Sequence, residues 1–278
     1  MFKNIGILFS KVASIAVIAV TMVGLPLVGH SLWQGAMTAA TGYAGVAVNE
    51  GAEGGLLNPA TVAQVDGYYL RLSGGRPTQQ STGANGYLIH VTDNTRDILV
   101  PASLIYQEFY FEHYWPHRDL RLNLGLAHYH NRRLAVGIAL GYQTRPFETV
   151  GPETDRYQFY GNLGFNFFVL NHWSWGFAIS SIDQRPILGT SYILQRVFRF
   201  RLDWKSLSHI GGGLEVYLGR WFILRLGYLN LLSGGFSGNT WGLGFVGPRL
   251  SVQYAWAPLM VQSRLDYTHW IDLSLRFW

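Results

Sequence analysis

Residues 119–127 read DLRLNLGLA, and every second residue of this stretch is a leucine. The alternate positions hold Asp119, Arg121, Asn123 and Gly125. Strict alternation of this kind predicts a β-strand with one apolar face. The next stretch, 134–142 (LAVGIALGY), alternates in the same way, and the short link Tyr129 to Arg132 predicts a β-hairpin between the two.

The same alternation recurs in residues 157–169, 198–204 and 249–256. The second face of these segments consists of Gly, Ala, Ser, Asn and occasional Arg, whereas a sheet facing bulk water is normally rich in Lys, Glu and Thr. Small residues with few charges suit the inside of a closed barrel whose apolar outer face contacts lipid. We therefore predict an all-β transmembrane antiparallel barrel. The alternative is a soluble β-sandwich.

The composition favours the barrel. The 278 residues are 49% hydrophobic, 15% aromatic and only 13% charged, against about 25% charged in a typical soluble domain. This low charged fraction argues against an ordinary cytosolic enzyme. Disorder is excluded because a chain this rich in apolar and aromatic residues can offset its ordering entropy by burial. The absence of Cys excludes disulfides, thiolate metal sites and attachment as a lipoprotein. Beyond the N-terminus, no segment reaches 18 uninterrupted apolar residues.

Counting the alternating segments gives about twelve strands, with ten and fourteen as the other even numbers. The predicted strands are Gly67 to Gly75, Ala84 to Val91, Leu99 to Phe111, Leu120 to Tyr129, Arg133 to Gln143, Tyr157 to Val169, Trp173 to Ile182, Ser191 to Trp204, His209 to Leu218, Trp221 to Leu231, Arg249 to Ala257 and Tyr267 to Phe277. Trp241 to Val246 is a further strand or part of a hairpin. Tryptophans near strand ends are expected in aromatic girdles at the membrane interfaces: Trp173, Trp175, Trp204, Trp221, Trp256 and Trp270.

Residues 1–31 are typical of a cleaved secretory signal. Lys3 and Lys11 form a short basic region, and the apolar stretch Val12 to Val28 precedes small residues. The alternative is a retained membrane anchor. Export of a barrel predicts a bacterial outer-membrane location. The net charge of +5 does not indicate a nucleic-acid partner, because no basic run exceeds the pair Arg132 and Arg133.

The last segment predicts how the barrel is recognised during assembly. Ile271, Leu273, Leu275 and Phe277 share one face, and Trp278 follows. A closing strand that ends in an aromatic residue resembles the substrates of the barrel-assembly machinery. Phe277 and Trp278 are therefore the predicted assembly signal, and this machinery and membrane lipid are expected partners.

Residues 38–65 read TAATGYAGVAVNEGAEGGLLNPATVAQV. This stretch resembles the N-terminal signature of the FadL-type outer-membrane transporter superfamily, which takes up hydrophobic compounds. The matching positions are Ala44, Gly45, Ala47, Asn58, Pro59 and Ala60. The resemblance implies a hatch, residues 32–65, that lies in the lumen as a plug and is gated around Asn58, Pro59 and Ala60. A loop that caps the barrel from the periplasm is the alternative. The predicted organisation is a signal peptide (1–31), this hatch and a barrel (66–278).

The C-terminal half is similar to the shorter, PorV-like branch of the superfamily. His209 to Asn230, Trp241 to Leu259 and Asp266 to Trp278 occur in the family's order. Three features depart from the family. The chain is far shorter than the long-chain fatty-acid transporters, for which the resemblance implies fourteen strands. Gln253 stands where the family usually has Asp, and the middle of the chain, Gly75 to Leu207, matches no family segment.

The inward phase predicts charged side chains in the lumen: Arg121, Arg199, Arg201, Asp203, Glu215, Arg225, Asp272 and Arg276. Such charges can tune selectivity, or they can form internal ion pairs that fill a narrow barrel. The surplus of Arg favours an anionic or amphipathic solute. Small inward residues such as Gly137 and Gly141 are expected to leave room for a ligand.

Other chemistry has weaker support. His113, His117, His128 and His130 could ligate a metal, but neutral histidines near a barrel rim are the simpler interpretation. An outer-membrane lipase needs an oriented Ser–His pair, and Ser180, Ser181 or Ser208 with His209 lacks a G-x-S-x-G motif. We expect no enzymatic activity, metal or cofactor.

Two functions therefore stay open. The first is passive passage of small hydrophobic or amphipathic molecules. The second is a non-transporting role as a docking or assembly partner of a secretion or cell-surface complex, with other subunits of that complex as partners.

Overall fold

The structure is a computed structural model. It describes residues 35–48, 53, 55–78, 85–95, 100–110, 117–127, 133–144, 157–181, 185–205, 209–232, 236–261 and 264–277. The predicted signal peptide and its alternative, a membrane anchor, lie outside these ranges, as does Trp278. No helix in the described ranges combines the length and apolar character needed to cross a membrane.

The described residues form one closed antiparallel barrel in which each strand pairs with its neighbours in sequence and β14 pairs with β1. The strands are β1 Gly67–Pro77, β2 Asn85–Asn94, β3 Ala102–Tyr110, β4 His117–Ala127, β5 Leu134–Thr144, β6 Tyr157–Leu170, β7 Trp173–Ser180, β8 Ile187–Leu194, β9 Phe198–Lys205, β10 His209–Leu218, β11 Phe222–Leu231, β12 Phe236–Val246, β13 Leu250–Val261 and β14 Arg264–Arg276. The prediction of an all-β closed barrel is confirmed. The predicted number, about twelve, is corrected to fourteen strands.

Two errors in the sequence analysis account for the difference. The predicted strand Ser191 to Trp204 is a hairpin, because the chain turns at residues 195–197 between β8 and β9. Gln195 and Arg196 have φ angles of 51° and 59°, as a primed hairpin turn requires. These positions normally hold Asn or Gly, so no residue of the usual turn type marks the hairpin. The second error is β12, which extends well beyond the short segment Trp241 to Val246.

The apolar phase of the strands faces outward. Leu126, Leu140 and Phe159 are 60%, 62% and 85% exposed, whereas their neighbours Gly125, Ala139 and Tyr160 are buried. A wall of leucine and aromatic side chains on the outside is what a lipid environment requires. Trp270 is an exception to the predicted girdle: it is fully buried on the inward face of β14, in the same phase as Asp272.

The two ends of the barrel differ in their connections. At the end where β1 begins and β14 ends, four of the six connections (171–172, 195–197, 219–221 and 247–249) contain two or three residues, and the other two, 95–101 and 128–133, contain seven and six. We call this the turn end. The opposite end, called the loop end, includes the longest connection between strands, residues 145–156. The apolar seam that closes the barrel pairs Leu72 of β1 with Leu273 of β14.

Candidate functional site: the lumen and its inner segment

The described residues between Gly35 and Asp66, called the inner segment, precede β1 and contact the inward face of the wall. A short helix, α1 (Ala36–Ala39), packs against β12, β13 and β14, and a 3-10 helix, Pro59–Gln64, packs against β4, β5 and β6. Nearly every described residue from Gly35 to Val65 is buried. The segment therefore crosses the lumen from one side of the wall to the other.

Glycines on the inward face make room for this segment. Gly125, Gly137 and Gly164 pair in register across β4, β5 and β6, directly beneath the 3-10 helix. A Cβ at Gly137 would overlap the backbone of Pro59 and Ala60. The inner segment packs equally closely against further inward glycines: Gly176, Gly211, Gly213, Gly227 and Gly242.

The space expected beside Gly137 and Gly141 is therefore occupied. The inner segment fills the first site, and the ring of Tyr160 fills the second. Glycine is needed at these positions because any side chain would displace the backbone or ring that packs there. The expectation that small inward residues leave room for a ligand is wrong for both glycines.

Carboxylates on the wall hold backbone amides of the inner segment. Asp203 accepts hydrogen bonds from the amides of Gly45 (2.7 Å) and Val46 (2.9 Å) through Oδ2. Asp272 Oδ2 accepts from the amide of Ala36 (2.7 Å), the first residue of α1. These amides have no partner within a regular ladder, so the carboxylates satisfy donors that burial would otherwise leave unpaired.

Asn58, Pro59 and Ala60 lie at the start of the 3-10 helix. Asn58 is almost fully buried, and its Nδ2 donates to the carbonyls of Val46 (2.9 Å) and Phe165 (2.8 Å). Its Oδ1 accepts from the amide of Ala60 (3.1 Å), which caps the helix. Asn58 thus joins two parts of the inner segment to β6. The gating role of these residues stays a prediction.

Four of the predicted lumenal charges meet at one point. Glu215 on β10 receives Arg201 of β9 at 2.5 Å, Arg225 of β11 at 2.7 Å and Arg199 at 3.4 Å. Gln253, the residue that departs from the family pattern, accepts from Arg225 Nη1 at 2.6 Å. Buried charges persist only when they are paired and hydrogen-bonded, and this cluster pairs them near the turn end.

The other predicted charges are distributed around the wall. Arg121 donates to Asp119 (3.2 Å) and to the carbonyl of Leu56 in the inner segment (2.9 Å). Asp203 and Asp272 bind the inner segment as described above. Arg276 does not join a lumenal cluster, because it lies exposed at the turn end with its guanidinium 5.6 Å from the ring of Tyr69.

Sequence reasoning missed a second charge cluster. Arg71 bridges Asp272 (2.5 Å) and Glu53 of the inner segment (3.0 Å). Glu53 also accepts from the amide of Met37 (3.0 Å) and from the hydroxyl of Thr38. Burial raises the pKa of the Glu53 carboxyl, and the charge of Arg71 acts against this rise.

A signal for part of this cluster was present in the sequence. Arg71 lies between Leu70 and Leu72, so the alternation already places it on the inward face. Glu53 lies outside any strand, so no periodicity could place it.

The space between wall and inner segment is partly apolar and partly a small polar cavity. Toward the loop end, Leu88, Phe109, Leu229 and Trp270 form one buried cluster with Tyr43. A cavity lined by Glu53, Asn58, Arg201 and neighbouring residues has about 10 Å³ of space, which holds at most about one water molecule.

The residues considered for other chemistry remain unassigned. His113, His128, His130 and Ser208 lie outside the described ranges, as does the side chain of His117. Ser181 accepts from the amide of Gly161 (2.9 Å) through its hydroxyl. Within the described ranges, no three His, Asp or Glu side chains are grouped so that they could hold a metal ion.

The fold and the filled lumen define a class of protein: a closed fourteen-stranded barrel with its N-terminal segment packed against the inner wall. No family model and no curated protein matches the sequence. Solved structures match the fold. The CymD monoaromatic hydrocarbon channel has a TM-score of 0.65 at 13% identity and covers 87% of this chain and 97% of its own.

Two further solved structures have the same fold. The toluene transporter TbuX of Ralstonia pickettii has a TM-score of 0.63 at 12% identity, over 88% of this chain and 98% of its own. A FadL homologue of Pseudomonas aeruginosa has a TM-score of 0.59 at 10% identity, over 88% and 98%. The FadL-type resemblance is thereby confirmed at the level of the fold. The PorV-like branch stays a prediction.

Proposed function

We propose that this chain is an outer-membrane channel for the passive passage of small hydrophobic or amphipathic molecules, gated by the inner segment. The observation that carries the proposal is the apolar cluster of Leu88, Phe109, Leu229 and Trp270 inside the wall. A lumen built for ions or sugars would be polar throughout. Here an apolar solute would find an apolar lining toward the loop end once the inner segment moves.

The outer surface and the similar structures support the location and the solute class. The outward leucines and aromatics suit a lipid environment, and short connections are typical of the periplasmic end of bacterial barrels. The turn end is then periplasmic and the loop end extracellular. CymD and TbuX are described as a monoaromatic hydrocarbon channel and a toluene transporter.

The inner segment is suited to gating because hydrogen bonds attach it to the wall at a few separate points. Its hydrogen bonds to the wall come from separate points, among them Asp203, Asp272 and Asn58. The cavity beside Asn58 holds about one water, so a solute of even a few carbon atoms requires the segment to shift. Asn58, Pro59 and Ala60 are the proposed gating residues.

A crosslink tests this proposal directly. A Cβ at Gly125 of β4 would lie 2.8 Å from the backbone nitrogen and 3.1 Å from the Cβ of Ala63 in the 3-10 helix. A disulfide, with a usual Cβ–Cβ separation of about 3.5–4.5 Å, therefore forms here once the helix shifts by less than about 1 Å. Because the chain has no Cys, the double variant Gly125→Cys/Ala63→Cys would carry the only two thiols. We expect uptake of toluene by whole cells to stop when this pair is oxidised and to return after reduction.

The single variants Gly125→Cys and Ala63→Cys serve as controls, and their uptake should not respond to the oxidant. Equal uptake through the oxidised and reduced double variant would contradict gating by the inner segment. Equal uptake by cells with and without the protein would contradict transport altogether. The docking role finds no support in the comparisons, since the similar proteins are described as channels and transporters. Those descriptions also agree with the expectation that the chain is not an enzyme.

A further inference from the structure

An acidic residue lies on the outer surface of the wall, where apolar residues are expected. In β3, Ser103, Ile105 and Gln107 are buried on the inward face, so the alternation directs Leu104, Tyr106, Glu108 and Tyr110 outward. Leu104 and Tyr110 are accordingly exposed, yet Glu108 is only 3% exposed. Other outward side chains therefore cover this carboxyl.

Three side chains hold Glu108. The hydroxyls of Tyr87 (2.5 Å) and Tyr106 (2.8 Å) donate to its Oε2, and Nε of Arg118 donates to its Oε1 (2.9 Å). The rings of Tyr106 and Tyr110 lie 6.1 Å and 6.4 Å from the ring of Tyr87. We call Tyr87, Tyr106, Glu108, Tyr110 and Arg118 the outer tyrosine patch.

The patch lies at the loop end. Glu108 is two residues from the end of β3, and Arg118 is the second residue of β4. At about 3.4 Å per residue, the carboxyl is roughly 7 Å from the end of its strand. A charged pair is costly at the centre of a bilayer and nearly neutral in the interfacial layer, so this depth corresponds to the lipid headgroups.

The chemistry of the patch is that of a headgroup site. The two tyrosine hydroxyls donate their protons to Glu108, so toward any further group their oxygens can act only as acceptors, for instance for a sugar hydroxyl. Glu108 fixes Arg118 through Nε, and 54% of the arginine side chain is exposed. The guanidinium therefore presents its remaining donors at the surface, in the planar geometry that matches phosphate.

A notch in the wall adjoins the patch. Gly74 of β1 pairs in register with Tyr87 and lies on the outward phase with Leu72. A Cβ at Gly74 would meet no described heavy atom within 4 Å. The outward surface is thus recessed beside the tyrosine ring, where an acyl chain can lie.

We propose that the outer tyrosine patch binds a phosphorylated glycolipid of the outer leaflet, with Arg118 on its phosphate, Tyr87 and Tyr106 on its sugar hydroxyls and an acyl chain over Gly74. The inference rests on the outer-membrane location in the proposed function. It does not depend on what passes through the lumen, because the patch is on the opposite face of the wall.

The test reconstitutes the purified full chain into phosphatidylcholine bilayers and measures the binding of added lipid A and of added dephosphorylated lipid A. We expect the tightest binding to phosphorylated lipid A and about tenfold weaker binding for Arg118→Gln, because a hydrogen-bonded charge is lost. Tyr87→Phe keeps the ring and should weaken binding severalfold. Arg220→Gln is the matched control, since Arg220 is an exposed arginine beside Trp221 at the turn end.

Equal binding of wild type and Arg118→Gln, equal losses in Arg118→Gln and Arg220→Gln, or equal binding of both forms of lipid A would overturn the proposal. Full displacement by inorganic phosphate would instead identify a site for the free anion. Heat-dependent gel mobility checks that each variant is folded. If Arg118→Gln does not fold, the lipid binding of Tyr87→Phe decides the question. Toluene uptake by the same variants should be unchanged, so a failure of transport remains distinguishable from a failure of lipid binding.

Discussion

A single substitution in the row of glycines beneath the 3-10 helix can displace the inner segment. Gly137 is the middle of the row Gly125–Gly137–Gly164, and its inward side is occupied by the backbone of Pro59 and Ala60. Gly137→Val would place three carbon atoms in that space. Because a β-branched residue suits a strand, the wall can keep its structure and the helix must move.

The size of the effect follows from these contacts. Overpacking of a tight interface costs about 1–3 kcal/mol. Moving the helix also breaks the hydrogen bond from Asn58 to the carbonyl of Phe165, which contributes about 1 kcal/mol. A total of about 2–4 kcal/mol against the packed position shifts its equilibrium with a displaced position by roughly 30- to 700-fold.

The assay is the rate at which toluene enters vesicles that contain the purified protein. We expect Gly137→Val to raise this rate and to make the inner segment accessible to protease. Gly74→Val is the matched control, because it is the same substitution at a strand glycine that faces open space. Heat-dependent gel mobility confirms that both variants are closed barrels. Equal rates for Gly137→Val, Gly74→Val and wild type would refute the reasoning that the glycine row holds the segment in place.

Three further substitutions test the polar contacts. Glu215→Gln leaves the buried Arg201 and Arg225 and the partly buried Arg199 without their shared carboxylate, and we expect a loss of about 3–5 kcal/mol in the free energy of unfolding by urea, against less than about 1 kcal/mol for the exposed Arg276→Gln. Asp203→Ala leaves the amides of Gly45 and Val46 without acceptors, at about 1–3 kcal/mol each, and should raise toluene entry; wild-type entry would argue against this anchor. Asn58→Ala removes the cap and both carbonyl contacts and should act in the same direction, whereas Thr78→Ala, at the exposed end of β1, should have no effect.

The wall was predictable because period-two alternation is a local property. Leu120, Leu122 and Leu126 lie outward as the pattern requires, and the polar phase lies inward. The hairpin between β8 and β9 was not predictable, because Gln195 and Arg196 adopt positive φ without the residues that normally signal it. The girdle prediction for Trp270 rests on the preference of tryptophan for membrane interfaces, although its phase with Asp272 already directs it inward.

The lumen was predictable only in part. Phase alone put Arg199, Arg201, Glu215 and Arg225 on the inward face, but which of them pair depends on strand register, for instance Glu215 opposite Arg225. The inner segment has no periodicity, so its contacts depend on long-range packing. The inward glycines could not be recognised as filled sites, because a sequence shows the absence of a side chain and does not show what replaces it.

The attachment of α1 to β14 constrains the order in which the molecule assembles. Asp272 of β14 binds the amide of Ala36 and also Arg71 of β1. The last strand therefore completes the binding site for the N-terminal end of the inner segment. The inner segment therefore cannot finish docking until the C-terminal strand has arrived. When Leu273 then meets Leu72, the wall closes around its own N-terminal part. Closure of the seam and filling of the lumen are thus one cooperative event, and a chain stalled before its last strand would have both an open edge and an undocked segment.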